Sequence, residues 1–577
     1  MAAHGVVRAF REKVREYGDK DAVVFVRDPD DQTTIQSWTY RRLDSEARAV
    51  AARLTRLGLQ DARVLLLYPS GLRFVAAYFG CLYAGAIAVP APLPVRSKQQ
   101  KRRITAIVKD AGVAAVLAQS DDKAVIDDWL SSDGLPSMTC VYTDTPGPVP
   151  PETPPVLEAG ADRTWAAEIA FLQYTSGSTG DPTGVVLTHD NVVHNVRTSR
   201  RVSGVSAADL RVVCWLPLYH DMGLIGGVLV PVLNGGTCVL LDTMTFLRRP
   251  HLWLRAIGRF RGTVSSAPNF AYALCTDRIK EEELARLDLS SWRVATNGSD
   301  WLEPSIMRRF VDRFSSCGFR EEVFCPGYGL AEATFLVASR RSSELRVLSA
   351  DRRALECGVY KAAEWAGDAK QIVSCGTAAD IEIEIVDPVA SEPLAPDHVG
   401  EIWLRGPSVA KGYWGRPDQT RDTFGATTAR NDGPYLRTGD LGFRHDGELY
   451  VTGRIKEVIV VHGQNVYPQD IEFALRAEIP GLSGRSAVCC LPTVENEPDK
   501  VVVISEVKRL PPERMKELAE EAVHIVGRDF GARVASVVFL PPGRVEQTTS
   551  GKTKRLEMRD RYLAGTLDPI YEYDSLS

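Results

Sequence analysis

The stretch Tyr174-Thr175-Ser176-Gly177-Ser178-Thr179-Gly180-Asp181-Pro182-Thr183-Gly184-Val185 constrains this chain more than any other. The apolar run Ile169-Ala170-Phe171-Leu172 before it reads as a buried strand, and Val185-Val186-Leu187-Thr188 after it reads as another. What lies between is therefore a loop held at both ends. Its glycines let several backbone N–H groups point one way, and its Ser and Thr hydroxyls add donors to the same concavity. Such a loop suits a group with several anionic oxygens, such as phosphate. The G-x-x-x-x-G-K-[ST] spacing of a Walker A loop is absent. An ordinary polar turn has the same composition, so the reading depends on what accompanies it.

Apolar runs alternate with helical periods along the chain. Residues up to about Val64 read as helical, with Ala47, Ala51, Leu54 and Leu57 at helical spacing. Val64 to Tyr68 is a predicted strand, and Phe74 to Ala84 a helix ended by Gly85. Val89 to Pro94 must be extended, because repeated Pro forbids helix. Further strands are predicted at 115–118, 211–215, 237–241 and 294–296, and helices at 104–108, 189–197, 224–233 and 251–259. This alternation implies parallel sheets covered on both faces. The Pro- and Gly-rich stretch from Asp133 to Gly160 reads as a surface connection. From Lys370 to Tyr450 the texture changes to short alternating strands, an antiparallel, barrel-like subdomain. A small α+β unit follows Arg454-Ile455-Lys456, with a helix expected from Pro512 to Val526 and stopped by Gly527.

At 577 residues the chain is too long for one core. Its net charge of -5 gives no sign of a nucleic-acid binder. The most basic run, Arg96 to Arg103, reads as a solvated helix start. The charged N-terminus is not that of a signal peptide, and no apolar stretch is long enough to span a bilayer. The 11 cysteines are scattered without a C-x-x-C pair, so a reducing cytoplasm is expected.

Five further stretches stand in series with the first: Pro217–Gly223; Asn297-Gly298-Ser299; Gly327-Tyr328-Gly329-Leu330-Ala331-Glu332; Arg437-Thr438-Gly439-Asp440-Leu441-Gly442; and Ser550-Gly551-Lys552. In order and wording they resemble the adenylate-forming superfamily of acyl-CoA synthetases, adenylation domains and luciferases, from about Trp38 to Arg555. Within it, Gly80–Gly85, Leu216–Gly226 and Tyr328–Thr334 are worded as in the fatty acyl-AMP ligases. So is an extra segment between Ala338 and Cys375, which in that group packs on the large domain and helps suppress transfer to coenzyme A.

The resemblance implies a large α/β domain over 1–453, with the insertion at 339–375 and the β-rich subdomain at 376–450. A hinge at 454–456 and a small, mobile α+β domain at 457–577 would follow. It implies ATP and Mg²⁺ as cofactors, a fatty acid as substrate, and a separate acyl carrier protein with a phosphopantetheine arm as acceptor, since no carrier sequence follows Lys552. Thr175, Ser176, Gly177, Ser178, Thr179 and Gly180 would hold the β- and γ-phosphates, and Glu332 the Mg²⁺. Tyr328, between Gly327 and Gly329, offers a flat face for adenine; Asn297, Gly298 and Ser299 would line its other side. An ionised Asp440 can accept from both ribose hydroxyls, with Arg454 in support. Lys552 would bridge the acyl carboxylate and the α-phosphate. His220 would gate the acyl tunnel, where Gly223, Gly226 and Gly227 are expected to leave room for a slender chain. Lys456 matches the superfamily hinge.

The sequence departs from the superfamily pattern once. The phosphate loop usually ends Pro-Lys-Gly and here ends Pro182-Thr183-Gly184, which brings a hydroxyl but no charge. Either Mg²⁺ and Lys552 suffice, or adenylation is slow. An acyl-CoA synthetase and a degenerate nucleotide- or lipid-binding paralogue stay open as alternatives.

Overall fold

The computed structural model describes residues 5–94, 98–131, 135–136, 138–145, 168–175, 182–341, 344–365, 369–461, 464–482, 484–492, 500–548 and 551–575. Ser176 to Gly180 of the expected phosphate loop, Ser550, and most of the 133–160 connection lie outside these residues.

Two sheets build the large N-terminal part. The first has six strands in the order Thr139–Tyr142, Ala115–Ala118, Arg63–Leu67, Ile87–Ala91, Ile169–Thr175 and Thr183–Thr188. All neighbours are parallel except the last pair, a hairpin. Its central strands are apolar on both faces: Val64 to Leu67 are fully buried, as a parallel sheet between helices requires. The helices Tyr40–Arg56 and Leu72–Ala84 meet at Gly80, where a Cβ would stand 2.6 Å from Val50.

The second sheet has nine strands. Six are parallel, in the order Phe324–Tyr328, Val294–Asn297, Val264–Ala267, Arg211–Cys214, Thr237–Leu241 and Asp21–Val26. Ile35–Thr39 closes one edge antiparallel to Asp21–Val26. The region before Val64 is thus not all helix. Ala22-Val23-Val24-Phe25-Val26 is a β-rich run whose parallel partner, 237–241, lies far along the chain, so helical spacing at 47–57 does not extend back over it. The apolar segment at 224–233 also differs from an ordinary α-helix: Met222–Leu229 is π-helical and Val230–Leu233 completes it as α-helix.

The strands Glu382–Val386, Gly400–Arg405, Leu436–His445 and Glu448–Arg454 form an antiparallel sheet. After the short turn Ile455–Glu457, a smaller unit is built on Ser486–Cys490, Lys500–Glu506, Arg533–Leu540 and Tyr571–Asp574. Its helices Pro468–Glu478 and Pro512–Phe530 cover this sheet through Ile471, Leu475, Leu518 and Ile525. The second helix runs through Gly527, because Phe530 buries one turn later and Gly531 takes the left-handed cap at φ +62.

The inserted segment pairs Val347–Asp351 with Ala369–Val373. Its Ala350, Leu355 and Ile372 share a core with Leu441, Phe443, Tyr450 and Tyr467. Lys370 on this hairpin reaches Asp470 of the smaller unit at 2.7 Å, with side chains only 7% and 17% exposed. Its ammonium also lies 4.2 Å from the Tyr467 ring and 4.7 Å from that of Trp301. Removing one partner of a buried pair leaves a desolvated charge, at a cost of about 3–5 kcal/mol. Asp470→Asn is therefore expected to loosen the smaller unit, read as faster tryptic cleavage at Arg454 or Lys456, with Lys370→Met in the same chain restoring resistance. A cleavage rate unchanged by Asp470→Asn would show that the pair carries no docking energy.

Candidate functional site

Ligands of open α/β sheets bind beyond the carboxyl ends of the strands. Four strands bring the sequence-predicted residues to such edges. Thr175 ends the strand 169–175, and its hairpin partner is Thr183, itself buried. Asn297 ends 294–297, and Tyr328 ends 324–328. The strand 211–214 leads into Trp215 to Asp221. The two sheets are stitched here, since Gln173 Nε2 donates to the carbonyl of Tyr219 at 2.7 Å.

Asn297 Nδ2 donates to Asn269 Oδ1 at 2.7 Å, and Asn269 in turn donates to the Trp301 carbonyl at 2.6 Å. A Cβ at Gly298 would lie 2.7 Å from the Gly327 carbonyl, so glycine lets these two strand ends touch. Ser299 sits at φ +76. A Cβ at Gly329 would meet the Phe335 carbonyl at 1.8 Å. Tyr328 donates its phenol to Asp440 Oδ2 at 2.8 Å, and Arg454 Nε donates to Asp440 Oδ1 at 2.9 Å. Asp440 and Arg454 are also cross-strand partners. Glu332 stands in the turn Ala331–Ala333 and accepts the Tyr413 hydroxyl at 3.0 Å.

The smaller unit supplies Lys552. Its turn closes on itself, with the Lys552 N–H on Thr548 Oγ1 at 3.0 Å and the Thr548 N–H on the Lys552 carbonyl at 2.8 Å. Gly551, at φ +91, lies against Phe270 of the large part so closely that a Cβ would stand 2.4 Å from the ring. Arg555 anchors the turn, gripping both oxygens of Glu472 at 2.8 Å and Glu457 at 2.7 Å.

Charge shows what this docking brings together. Burial pulls the Lys552 ammonium down, Arg454 adds to that, and Asp300, Asp440 and Asp221 oppose it. Burial pushes the carboxyls of Asp221, Asp300 and Glu332 up, with Lys552 opposing at the first two. Asp440 chiefly holds Arg454 above its ordinary value. Burial pulls His220 down to about 3, aided by Arg103 and Lys552. Lys552, His220, Arg454, Asp440, Tyr328 and Glu332 thus share one partly desolvated centre between the two parts of the chain. Lys456, in the turn after Arg454, is exposed.

Sequence reasoning did not single out Asp221, Asp300, Tyr413, Asn269 or Arg103. Asp221 lies inside the quoted motif Pro217–Gly223 and Asp300 adjoins Asn297-Gly298-Ser299, so both were within reach of it; the other three arrive through distant packing. The tunnel expectation needs correction. Gly223, Gly226 and Gly227 leave no free space: a Cβ there would lie 2.1 Å from the Pro217 carbonyl, 2.8 Å from the Phe335 ring and 2.5 Å from Cys214 Sγ. They let the π-helical segment lie tightly against its neighbours.

His220 stays neutral in the folded chain above about pH 3, whereas an unfolded chain protonates its histidines near about pH 6.5. Its contribution to stability is complete above about pH 6.5 and is lost as pH falls toward about 3. A His220→Asn variant should therefore lose less in thermal midpoint than the parent between about pH 6.5 and 4.5; equal losses would show that His220 takes up no extra proton on unfolding.

Comparison with known proteins agrees with this geometry. The family model described as AMP-binding enzyme matches residues 10–414. The medium-chain-fatty-acid–[acyl-carrier-protein] ligase JamA of Moorena producens is 37% identical, over 92% of this chain and 91% of its own. The long-chain-fatty-acid–AMP ligase FadD26 of Mycobacterium marinum is 35% identical, over 96% of each chain. A solved structure from work on fatty acyl-adenylate ligases of E. coli and L. pneumophila superposes with a TM-score of 0.84 at 32% identity, covering 97% of this chain and 98% of that one. The match spans both sheets, the antiparallel subdomain and the smaller unit, and with it the chain belongs to the AMP-binding enzymes, in their fatty acyl-AMP ligase group.

Proposed function

We propose that this chain activates a fatty acid with ATP and passes the acyl group to the phosphopantetheine thiol of an acyl carrier protein. The observation that carries the reading is the docking of the Lys552 turn on Phe270, which sets one ammonium among Asp221, Asp300, Asp440, Arg454 and His220.

In the first step a carboxylate oxygen of the acid attacks the α-phosphorus of ATP. A C(O)–O–P bond forms, and the bond from that phosphorus to the bridging oxygen of pyrophosphate breaks. Two anions must meet, so fixed cations and N–H groups aimed at the gathering oxygens lower the barrier. Lys552 stands between acyl carboxylate and α-phosphate; its lowered affinity for a proton reflects burial and is offset by the surrounding carboxylates. Asp440, already ordered by Tyr328 and Arg454, keeps spare lone pairs for the ribose hydroxyls. The ring of Tyr328 and the strand ends at Asn297–Ser299 and Gly327 frame the adenine. Thr175 and the loop after it hold the β- and γ-phosphates. Glu332 fits Mg²⁺, as a single hard carboxylate beside phosphate oxygens; the ion would neutralise charge on those oxygens.

In the second step the thiol gives up its proton to solvent, its sulfur attacks the acyl carbonyl carbon, the thioester bond forms, and AMP departs with the electron pair of the C–O bond. Lys456 lies where the smaller unit would turn to admit that thiol. Relatives named as acyl-carrier-protein ligases support a carrier as acceptor.

The test is direct. Enzyme, ATP, Mg²⁺ and a panel of fatty acids, without carrier or coenzyme A, should yield acyl-AMP and pyrophosphate by mass spectrometry. Adding a phosphopantetheinylated carrier should convert acyl-AMP to acyl-carrier. Lys552→Ala should slow ATP–pyrophosphate exchange by about 10²–10³-fold. Acyl-CoA as the dominant product when both acceptors are supplied would overturn the choice of acceptor.

A further inference from the structure

Arg103 belongs to the basic run that the sequence presents as solvated, yet the structure turns its guanidinium inward. It lies on the helix Lys98–Ala111, which joins the parallel strands Ile87–Ala91 and Ala115–Ala118. Such a crossover helix runs antiparallel to its strands, so its first half lies at their carboxyl edge. One hydrogen bond fixes its level: Tyr174, next to the last residue of its strand, donates its hydroxyl to Asp110 Oδ2 at 2.6 Å. Arg103 is seven residues earlier on that helix. At 1.5 Å per residue it projects about 10 Å further out, over the edge where the chain leaves Thr175 and returns at Thr183.

The charges around it agree with that placement. Arg103 acts on His220 together with Lys552. Burial pulls the Arg103 guanidinium down, while Tyr219 and, from the smaller unit, Glu557 oppose this. The Glu557 carboxylate is engaged by Lys554 at 2.8 Å. Among the described residues, Arg103 Nε is enclosed without a hydrogen-bond partner. A guanidinium enclosed with an unused donor is costly unless an anion completes it. The hairpin strand beside it begins at Thr183, which brings a hydroxyl but no charge.

We propose that Arg103 is a phosphate-binding residue, giving the departing pyrophosphate the positive charge that Thr183 does not bring to the loop. The inference rests on the adenylating activity proposed above. It differs from the motif roles in coming from a crossover helix rather than from the loop itself. A planar fork suits a polyphosphate, since it can grip two oxygens at once.

The experiment is ATP–pyrophosphate exchange with the full chain and a fatty acid that the parent activates, on Arg103→Ala, Arg103→Lys and Arg103→Ala/Thr183→Lys. A charged hydrogen bond of this kind changes affinity by about 10–100-fold. Arg103→Ala should raise the KM for pyrophosphate by that factor with the KM for fatty acid little changed, and Arg103→Lys should raise it less. Thr183→Lys added to Arg103→Ala should recover part of the loss. Should the alanine variant fail to fold, Arg103→Lys and titration of pyrophosphate by calorimetry give the same readout. A parent-like pyrophosphate KM in Arg103→Ala overturns the assignment, as does a rise confined to the fatty-acid KM. A parent enzyme that exchanges no pyrophosphate with any acid would instead remove the underlying activity.

Discussion

Asp440 is the charge on which the site's order depends. Its side chain is 8% exposed, yet Tyr328 supplies a proton to one oxygen and Arg454 a guanidinium N–H to the other. A buried carboxylate left without such donors is costly. Asp440 and Arg454 face each other on neighbouring strands of the antiparallel sheet, and Tyr328 ends a strand of the nine-stranded sheet. One small network therefore fixes the relation of these two sheets, at the strand that runs into the linking turn. Arg555 performs a parallel task in the smaller unit, where two carboxylates hold it and it holds the turn that presents Lys552.

The inserted hairpin adds a constraint from outside the site. Its apolar residues are committed to the antiparallel sheet, while Lys370 reaches the smaller unit. It therefore touches both sides of the 455–457 turn. A segment so placed bears on where the smaller unit rests.

Much of this was legible in the sequence, for reasons that can be named. Strands buried on both faces, such as Val64–Leu67, show as unbroken apolar runs, and Gly85 marks its helix end because only the left-handed conformation closes that turn. The motif residues Asn297, Tyr328, Asp440 and Lys552 were found because series and spacing survive in a linear reading. Asp21–Val26 was missed because its partner strand lies far away in the chain. Gly527 looked like a stop because the later anchor Phe530 and cap Gly531 compete with it. Glycines at 223, 226 and 227 suggested space, whereas tertiary packing fills it. Arg103 looked solvated because the basic run around it says nothing of what the crossover brings to its face.

Two of the charge pairs that tie the smaller unit to the rest lie along its helix Pro468–Glu478, and they answer differently to electrolyte. Lys370 and Asp470 meet with little exposure to water, so dissolved ions weaken them less. Arg476 and Glu303 meet at 3.2 Å with side chains 40% and 21% exposed, and their attraction fades once the Debye length falls to about 3 Å at molar salt. Raising ionic strength would thus release one pair before the other. The unit would then pivot about the hairpin rather than float free, and the salt content of an assay becomes a handle on the direction in which it swings.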